Sequence, residues 1–156
     1  MRSRCGRCCL SIHADANELP FADGFFDVLT SINSLFFYVN DGDFLRDKIL
    51  RCVKPGGEIG VIVPGFYREY ADGIPENLQP HWADELNRWH TVQWWVDCFS
   101  ASGVVDVTLA DTLPDGEGNA IYRRFAKVVN AHENPFNVIA ADNITFIRIV
   151  AKRREV

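Results

Sequence analysis

Short apolar runs alternate along this chain with longer segments in which apolar residues recur every three or four positions. The short runs predict β-strands at residues 10–14, 27–32, 58–64, 104–110 and 144–152. The longer segments predict helices at residues 41–54, 91–103 and 119–134. Because "EIGVIVP" at 58–64 is almost wholly apolar, it is expected to be a parallel strand covered on both faces. Strands that alternate with helices predict an α/β fold with a mostly parallel sheet.

Individual residues predict where the first helix begins and ends, and the apolar residues of the third helix predict which of its sides faces the core. Asp41 or Asp43 can cap the first helix, and "PGG" at 55–57 is expected to end it in a turn. The third helix has one apolar stripe, which is expected to face the core. This stripe consists of Ile121, Phe125, Val128 and Val129.

A small polar cluster interrupts the apolar stretch "GFFDVLTSINSLFFYV" at residues 24–39. Ser31, Asn33 and Ser34 lie at the end of the predicted strand 27–32 or just beyond it. Open α/β sheets bind ligands beyond the carboxyl ends of their strands. The cluster therefore predicts a ligand-binding edge, although capping of the strand end would place the same residue types there.

Composition and charge narrow the classes of partner. The 156 residues suffice for one domain with a core, and 47% of them are hydrophobic. The formal net charge of −5 gives no reason to expect a nucleic-acid partner. No apolar window approaches the roughly 18 residues of a membrane span, so no membrane partner is expected.

The cysteines indicate a reducing compartment. Their number is odd, and two of them lie in segments that are expected to be buried: the five are Cys5, Cys8, Cys9, Cys52 and Cys98. This favours the cytoplasm over a disulfide framework, and the start of the chain has no apolar core typical of a secretory signal. Residues 1–9 are expected to be a disordered N-terminus. The alternative is a zinc site formed by the three N-terminal cysteines and His13.

Three stretches, in this order and spacing, carry a family resemblance. They are "ADANELPFADGFFDVL" at 14–29, "LRCVKPGGEIGVIVPG" at 50–65 and "WWVDCFSASGVVDV" at 94–107. Together they resemble the C-terminal part of a class I S-adenosylmethionine-dependent methyltransferase of the small-molecule type. The resemblance implies a Rossmann-like fold with an antiparallel last strand, a small-molecule methyl acceptor and no metal. It also implies S-adenosylmethionine as cofactor if the site is completed, whereas the chain by itself is expected to bind this cofactor weakly or not at all.

The resemblance also implies cofactor contacts. Asp15 matches the family's acceptor for the adenine amino group, and Ala16 matches the residue whose backbone amide meets the ring. Ser31 and Asn33 match the residues that line the methionine end of the cofactor. The bland alternatives are a turn or helix-capping aspartate for Asp15 and strand-end capping for the other two.

Substrate contacts are harder to predict. Residues 64–91 form a long, proline-containing segment, and segments of this kind are usually functional or disordered. Tyr67 and His90 lie near the two ends of this segment, where the family usually builds its substrate site, although the neighbouring Trp89, Val92 and Trp94 favour a half-buried packing role for His90. No catalytic residue is predicted, because methyl transfer mainly needs proximity and orientation.

One part of the family pattern has no counterpart here. Nothing before Asp15 can supply the family's glycine-rich first loop, so residues 10–156 are expected to form an N-terminally incomplete methyltransferase domain. In the family sheet order 3-2-1-4-5-7-6, residues 10–14 match strand 3 and residues 27–32 match strand 4. The latter is expected to have an exposed edge that favours self-association. The alternative function is an inactive, methyltransferase-like interaction module that binds no cofactor.

Overall fold

A computed structural model describes residues 11–129, 134, 137 and 140–155. Within these residues the strands are β1 (Phe26–Ile32), β2 (Val53–Phe66), β3 (Val105–Thr112) and β4 (Ile144–Arg153). They form one sheet in the order β1-β2-β4-β3. β1 and β2 are parallel, whereas β4 is antiparallel to both β2 and β3. The last strand therefore runs against the other three, which confirms the expected Rossmann-like fold with the order 4-5-7-6.

The expected strand at residues 10–14 is wrong for the part that can be described. Residue 10 lies outside the described residues, and residues 11–14 are exposed and form no strand. The physical reason is that a strand needs a neighbour for its backbone hydrogen bonds. The described sheet begins at β1, which bonds to β2. It holds no counterpart of family strand 2, the neighbour of strand 3 in the family order, so residues 11–14 lack that partner. The expected N-terminal disorder of residues 1–9, and their cysteines, lie outside the described residues.

The first predicted helix forms, but in three successive geometries. Helix α1 spans residues 42–52 as an α-turn (Gly42–Phe44), a π-helix (Leu45–Ile49) and a 3₁₀ turn (Leu50–Cys52). Asp41 caps it, because its carboxylate accepts a hydrogen bond of 2.7 Å from the amide of Phe44. The predicted cap is therefore confirmed at Asp41.

The "PGG" segment does not form the simple turn expected between helix and strand. β2 already begins at Val53, and its pairing with β1 slips between Phe26↔Val53 and Val28↔Glu58. Two steps along β1 thus face five along β2, which makes a bulge. Gly57 is required there, because a Cβ at this position would lie 2.8 Å from the carbonyl oxygen of Asp27.

The core lies on one face of the sheet, under α1 and helix α2 (Val92–Ala101). Alternate residues of β2, such as Ile59, Val61 and Val63, are buried. On the other face Val28 is 55% exposed and Ile32 is 72% exposed. Within the described residues, β2 is therefore not covered on both faces as its apolar sequence predicted.

The apolar stripe of helix α3 (Glu117–Val128) does not face the core, contrary to expectation. All four of its residues are exposed: Ile121, Phe125, Val128 and Val129. The helix contacts β4 through buried Gly118 and Ala126 instead. A Cβ at Gly118 would lie 2.7 Å from the amide nitrogen of Phe146, so only glycine permits this approach. The close contact fixes the small residues inward and turns the larger ones away.

No helix among the described residues is long and apolar enough to cross a membrane. The long segment 64–91 contains two 3₁₀ helices, Gln79–His81 and Asp84–Arg88. Its last residues connect to α2, which Thr91 caps.

Candidate functional site

A cavity of about 520 Å³ opens at the end of the sheet that is formed by the carboxyl termini of β1 and β2. Its sheet side consists of Ile32, Ile62, Pro64 and Phe146. The first three belong to the carboxyl-terminal ends of the parallel strands. Phe146 lies near the start of β4, at the same edge because that strand runs the opposite way. This is the edge at which open α/β sheets bind ligands.

Aromatic rings from three separate segments form much of the remaining wall. Phe36 and Phe37 stack with ring centroids 4.0 Å apart. Trp89 meets Tyr122 edge to face, with centroids 5.6 Å apart, and Tyr122 lies 6.4 Å from Phe125. The exposed stripe of α3 thus supplies one side of the cavity, through Ile121 and Phe125.

Few polar groups line this cavity. They belong to Asn33, Glu85, Tyr122 and Trp89, whose buried indole N–H has no hydrogen-bond partner among the described residues. The hydroxyl of Tyr122 donates a hydrogen bond of 3.0 Å to Oδ1 of Asn137. Burial raises the pKa of Tyr122, and the negative charge of Glu85 raises it further. Tyr122 therefore stays protonated at neutral pH.

The polar turn after β1 reaches the cavity at Asn33. Asn33 has a left-handed backbone (φ 55°), a conformation that asparagine tolerates better than most residues. Its amide donates a 2.7 Å hydrogen bond to the carbonyl of Ile62. Ser31 lies beside this turn, and its hydroxyl is 2.9 Å from that of Ser34. The structure thus brings Asn33 to the cavity, while Ser31 bonds within the turn.

Asp15 lies apart from the cavity walls, at the start of a 3₁₀ turn (Ala16–Glu18). Its Oδ1 accepts hydrogen bonds from the amide and side-chain nitrogens of Asn17, at 2.8 and 2.7 Å. The backbone hydrogen bond is the main reason that the pKa of this exposed carboxylate is lowered. Ala16 is partly exposed. Asp15 therefore has the geometry of a helix-capping aspartate, as the alternative interpretation predicts, and its second carboxylate oxygen takes no part in these two bonds.

Arg51 fixes the loop that follows Asp15, a role that the sequence did not reveal. Its guanidinium donates hydrogen bonds of 2.7 Å to the carbonyls of Leu19 and Phe21. It also forms an ion pair of 2.9 Å with Asp23. Arg51 comes from the end of α1, directly before β2. The only sequence signal is an arginine next to the "PGG" segment, and spacing alone does not connect it to carbonyls 30 residues away.

Tyr67 and His90 are not among the residues that line the 520 Å³ cavity. Tyr67 lines a neighbouring depression of about 400 Å³ with Asn119 and Arg123. His90 stacks on Trp94, with ring centroids 3.9 Å apart and planes 10° apart. Burial lowers the pKa of His90, while the carboxylate of Glu69, 3.7 Å from its Nδ1, opposes this shift. His90 thus packs against a neighbouring tryptophan, as the alternative interpretation predicts.

Metal ligands do not cluster in the part of the chain that the structure describes. No group of three or more His, Cys, Asp or Glu side chains there could hold a metal ion. The proposed zinc ligands Cys5, Cys8 and Cys9 lie outside the described residues.

Comparisons with known proteins point to one family. A family model described as a methyltransferase domain matches residues 2–61. Erythromycin 3''-O-methyltransferase of Saccharopolyspora erythraea is 35% identical over 83 residues, which are 52% of this chain and 27% of that protein. A ubiquinone/menaquinone biosynthesis C-methyltransferase of Desulfotalea psychrophila is 30% identical over 114 residues, 60% of this chain and 45% of that protein. The matches thus cover less than half the length of these relatives.

The fold has counterparts among solved structures. Geranyl diphosphate C-methyltransferase from Streptomyces coelicolor, in complex with Mg²⁺, geranyl diphosphate and S-adenosylhomocysteine, superposes with a TM-score of 0.64. The superposition covers 90% of this chain and 50% of that chain, at 17% identity. At this identity the similarity demonstrates a common fold and nothing about substrate.

Proposed function

The chain is related in sequence and fold to the class I S-adenosylmethionine-dependent methyltransferases, and we propose that it serves methyl transfer from this cofactor to a small molecule. We propose that it does so as part of a complete methyltransferase domain. The methyl group would pass to an acceptor atom held in line with the cofactor's sulfonium, so orientation is the main requirement.

One observation carries this proposal. The polar turn at Asn33 lies at the carboxyl end of β1 and borders a cavity large enough for a small molecule. A cofactor whose methionine end meets this turn would present its methyl group toward the cavity. The acceptor would then lie between the sheet edge and α3.

The proposed cofactor contacts are those that the family resemblance implies. Asp15 and Ala16 would meet the adenine, and Ser31 and Asn33 would meet the methionine end. A carboxylate offers about four acceptor positions, and the bonds from Asn17 involve only Oδ1 of Asp15. The capping role of Asp15 therefore leaves an oxygen for an adenine amino group.

Tyr67 and His90 remain proposed substrate contacts, both at the periphery of the cavity. Tyr67 lies in the depression beside α3, and His90 directly follows Trp89 of the cavity wall. We assign no catalytic base. Tyr122 donates its proton to Asn137, so its oxygen would accept a hydrogen bond from a hydroxyl or amine of the methyl acceptor.

The edge of β1 supports a proposal about assembly. β1 is an edge strand in the described sheet, and its exposed Val28 and Ile32 border that edge. Edge strands of this kind invite pairing with another chain, so we propose self-association. We also propose a cytoplasmic location, because Cys52 and Cys98 are free and buried.

The second candidate is an interaction module that binds no cofactor. The open face of the sheet favours it, because apolar residues there could be covered by another polypeptide. The two candidates differ in cofactor binding, which nuclear magnetic resonance can detect even when it is weak.

The test is a titration of the isotope-labelled 156-residue chain with S-adenosylhomocysteine into the millimolar range. The proposed function predicts saturable shifts at the backbone amides of Ala16 and Asn33. Val105 and Arg153, at the far end of the sheet, serve as internal controls. No shift at Ala16 and Asn33 up to this concentration would contradict the cofactor contacts proposed for this chain and favour the interaction module.

A further inference from the structure

The wall of the cavity is selective in its chemistry. Apart from Asn33, Glu85 and Tyr122, every lining residue has a hydrocarbon or aromatic side chain. The helix α3 side is still accessible, since Phe125 is 54% exposed and Ile121 is 38% exposed. An apolar occupant would remove this surface from water, which is favourable in proportion to the area covered.

The charge contributed by the described lining residues of the cavity is negative. Among the described residues that line it, Glu85 is the only charged one. Its field acts inside the cavity, because it contributes to the raised pKa of Tyr122. Arg123 and Arg124 adjoin the lining residues Tyr122 and Phe125 on α3, but neither arginine is among the described residues of the wall. The same holds for Arg88, which donates a hydrogen bond to the carbonyl of Phe37. A carboxylate or phosphate in the cavity would therefore meet a like charge and no lining cation.

The aromatic rings reinforce this selection. The faces of Phe and Trp rings carry partial negative charge, which repels anions and attracts cations. Such rings belong to the lining residues Phe36, Phe37, Trp89, Phe125 and Phe146, and an anion is repelled wherever a ring face, rather than a ring edge, borders the cavity. Both the rings and Glu85 act against the same kind of occupant.

We propose that the cavity between the sheet edge and α3 takes an apolar, ring-bearing methyl acceptor that has no negative charge. The proposal rests on the proposed function in calling the occupant an acceptor. The binding preference itself follows from the wall and needs no cofactor.

Matched probes on the full chain test this preference. They are 2-naphthylmethanol, 2-naphthylmethylammonium and 2-naphthoate, which share a ring system and differ in charge. Binding is followed through isoleucine methyl signals. The neutral and cationic probes should shift the signals of Ile32, Ile62 and Ile121, but not those of Ile59 and Ile149 in the opposite, buried face.

The dissociation constant of 2-naphthoate should be at least about tenfold higher, because its unpaired carboxylate lies near Glu85. Glu85→Gln should narrow this gap. Equal or tighter binding of 2-naphthoate to the wild-type chain would overturn the proposal. So would shifts confined to isoleucines outside the wall.

Two substitutions on the same exposed stripe locate the binding. Phe125→Asp should weaken binding of 2-naphthylmethanol at least about tenfold, because it puts a charge into the wall. Val128→Asp is the matched control: Val128 is 81% exposed on the same helix and does not line the cavity. Equal effects of the two substitutions would contradict the proposed place of binding. Thermal unfolding of both variants checks that the fold persists.

The outcome is separate from that of the S-adenosylhomocysteine titration. Probe binding as described, with no cofactor-induced shift, would support the preference of the cavity and refute the cofactor contacts proposed for this chain. Cofactor binding with an indifferent or anion-preferring cavity would do the reverse.

Discussion

Asn33 and Ile62 join the ends of the two parallel strands: the amide of Asn33 donates a 2.7 Å hydrogen bond to the carbonyl of Ile62. Both residues line the same cavity. The left-handed backbone of Asn33 makes this bond at the point where β1 ends. The turn that borders the proposed methyl-transfer site is therefore fixed by the sheet itself.

This bond leads to a prediction about Asn33. Asn33→Val should lower the free energy of unfolding by about 1–2 kcal/mol, since a β-branched residue is strained in the left-handed region. Asn33→Gly should keep the fold, because glycine adopts this conformation freely, while weakening any cofactor contact of the side chain. Urea unfolding measures the first effect. Equal stability of the valine and glycine variants would contradict the strain argument.

Asp15 provides a direct test of the adenine contact. Asp15→Ala should weaken S-adenosylhomocysteine binding by about 1–3 kcal/mol, the usual cost of leaving a donor unpaired. Calorimetry or the amide titration gives the affinity. Asp43→Ala removes an exposed carboxylate from α1 and is the matched control. Unchanged affinity in the Asp15 variant would remove this residue from the site.

Arg51 should stabilise the loop at residues 19–23. Arg51→Ala removes two hydrogen bonds from a charged group and should cost about 2 kcal/mol of unfolding free energy. Arg51→Lys should recover only part of it, because an ammonium lacks the forked geometry. Hydrogen exchange should increase at residues 19–24 in particular. Arg46→Ala, which breaks exposed ion pairs on the same helix, should change stability by less than about 1 kcal/mol.

The edge of β1 makes assembly testable. The wild-type chain should self-associate in light scattering, and Val28→Lys should reduce the associated fraction, because a charged side chain blunts an open edge. Val150→Lys is the control: Val150 lies on the same open face but in the interior strand β4. A monodisperse monomer of the wild-type chain would refute the prediction.

Cys98 should make the protein less stable in alkali. Burial raises the pKa of the Cys98 thiol to about 12, whereas a thiol in an unfolded chain titrates near about 8.5. The unfolded state therefore loses its proton first, and stability should fall as the pH rises from about 9 towards 12. The slope from this group is at most about 1.4 kcal/mol per pH unit.

Urea titrations of the wild type and of Cys98→Ala at several pH values check this slope. The variant should be less stable overall but should show a shallower decline. Parallel declines would assign the effect to other groups, such as Tyr122. Thiol labelling should also leave Cys52 and Cys98 unmodified at pH 8 until the chain unfolds, because both are buried.

The sequence predicted correctly those elements whose formation depends mainly on their own residues. The run "EIGVIVP" predicts β2 because it is short, rich in β-branched residues and bounded by glycine and proline. The cap at Asp41 follows from the four amides at a helix start that lack partners. The predicted strand at residues 10–14 was wrong for residues 11–14, because a strand forms only beside a neighbour that shares its backbone hydrogen bonds. The prediction that the apolar stripe of α3 faces the core was wrong, because helical periodicity identifies the residues that share a face but not the part of the protein that this face contacts.

The candidate site was predictable only where one segment reveals it. Asn33 is marked by the polar break after an apolar run. Glu85, Tyr122 and Phe125 come from separate segments that only the folded chain brings to one cavity. Their sequence context resembles that of surface or core residues, so no local signal assigns them to a binding wall.

The glycine contact of α3 has a consequence for redesign. Because Gly118 brings the helix against the backbone at Phe146, the helix is anchored on one side, while Ile121 and Phe125 project from the other. Anchoring of the helix and the proposed selection of the acceptor thus depend on different residues of one helix. Natural variation or directed evolution could exchange the two projecting side chains for smaller, larger or charged ones, and so retune the preferred acceptor at little cost in folding.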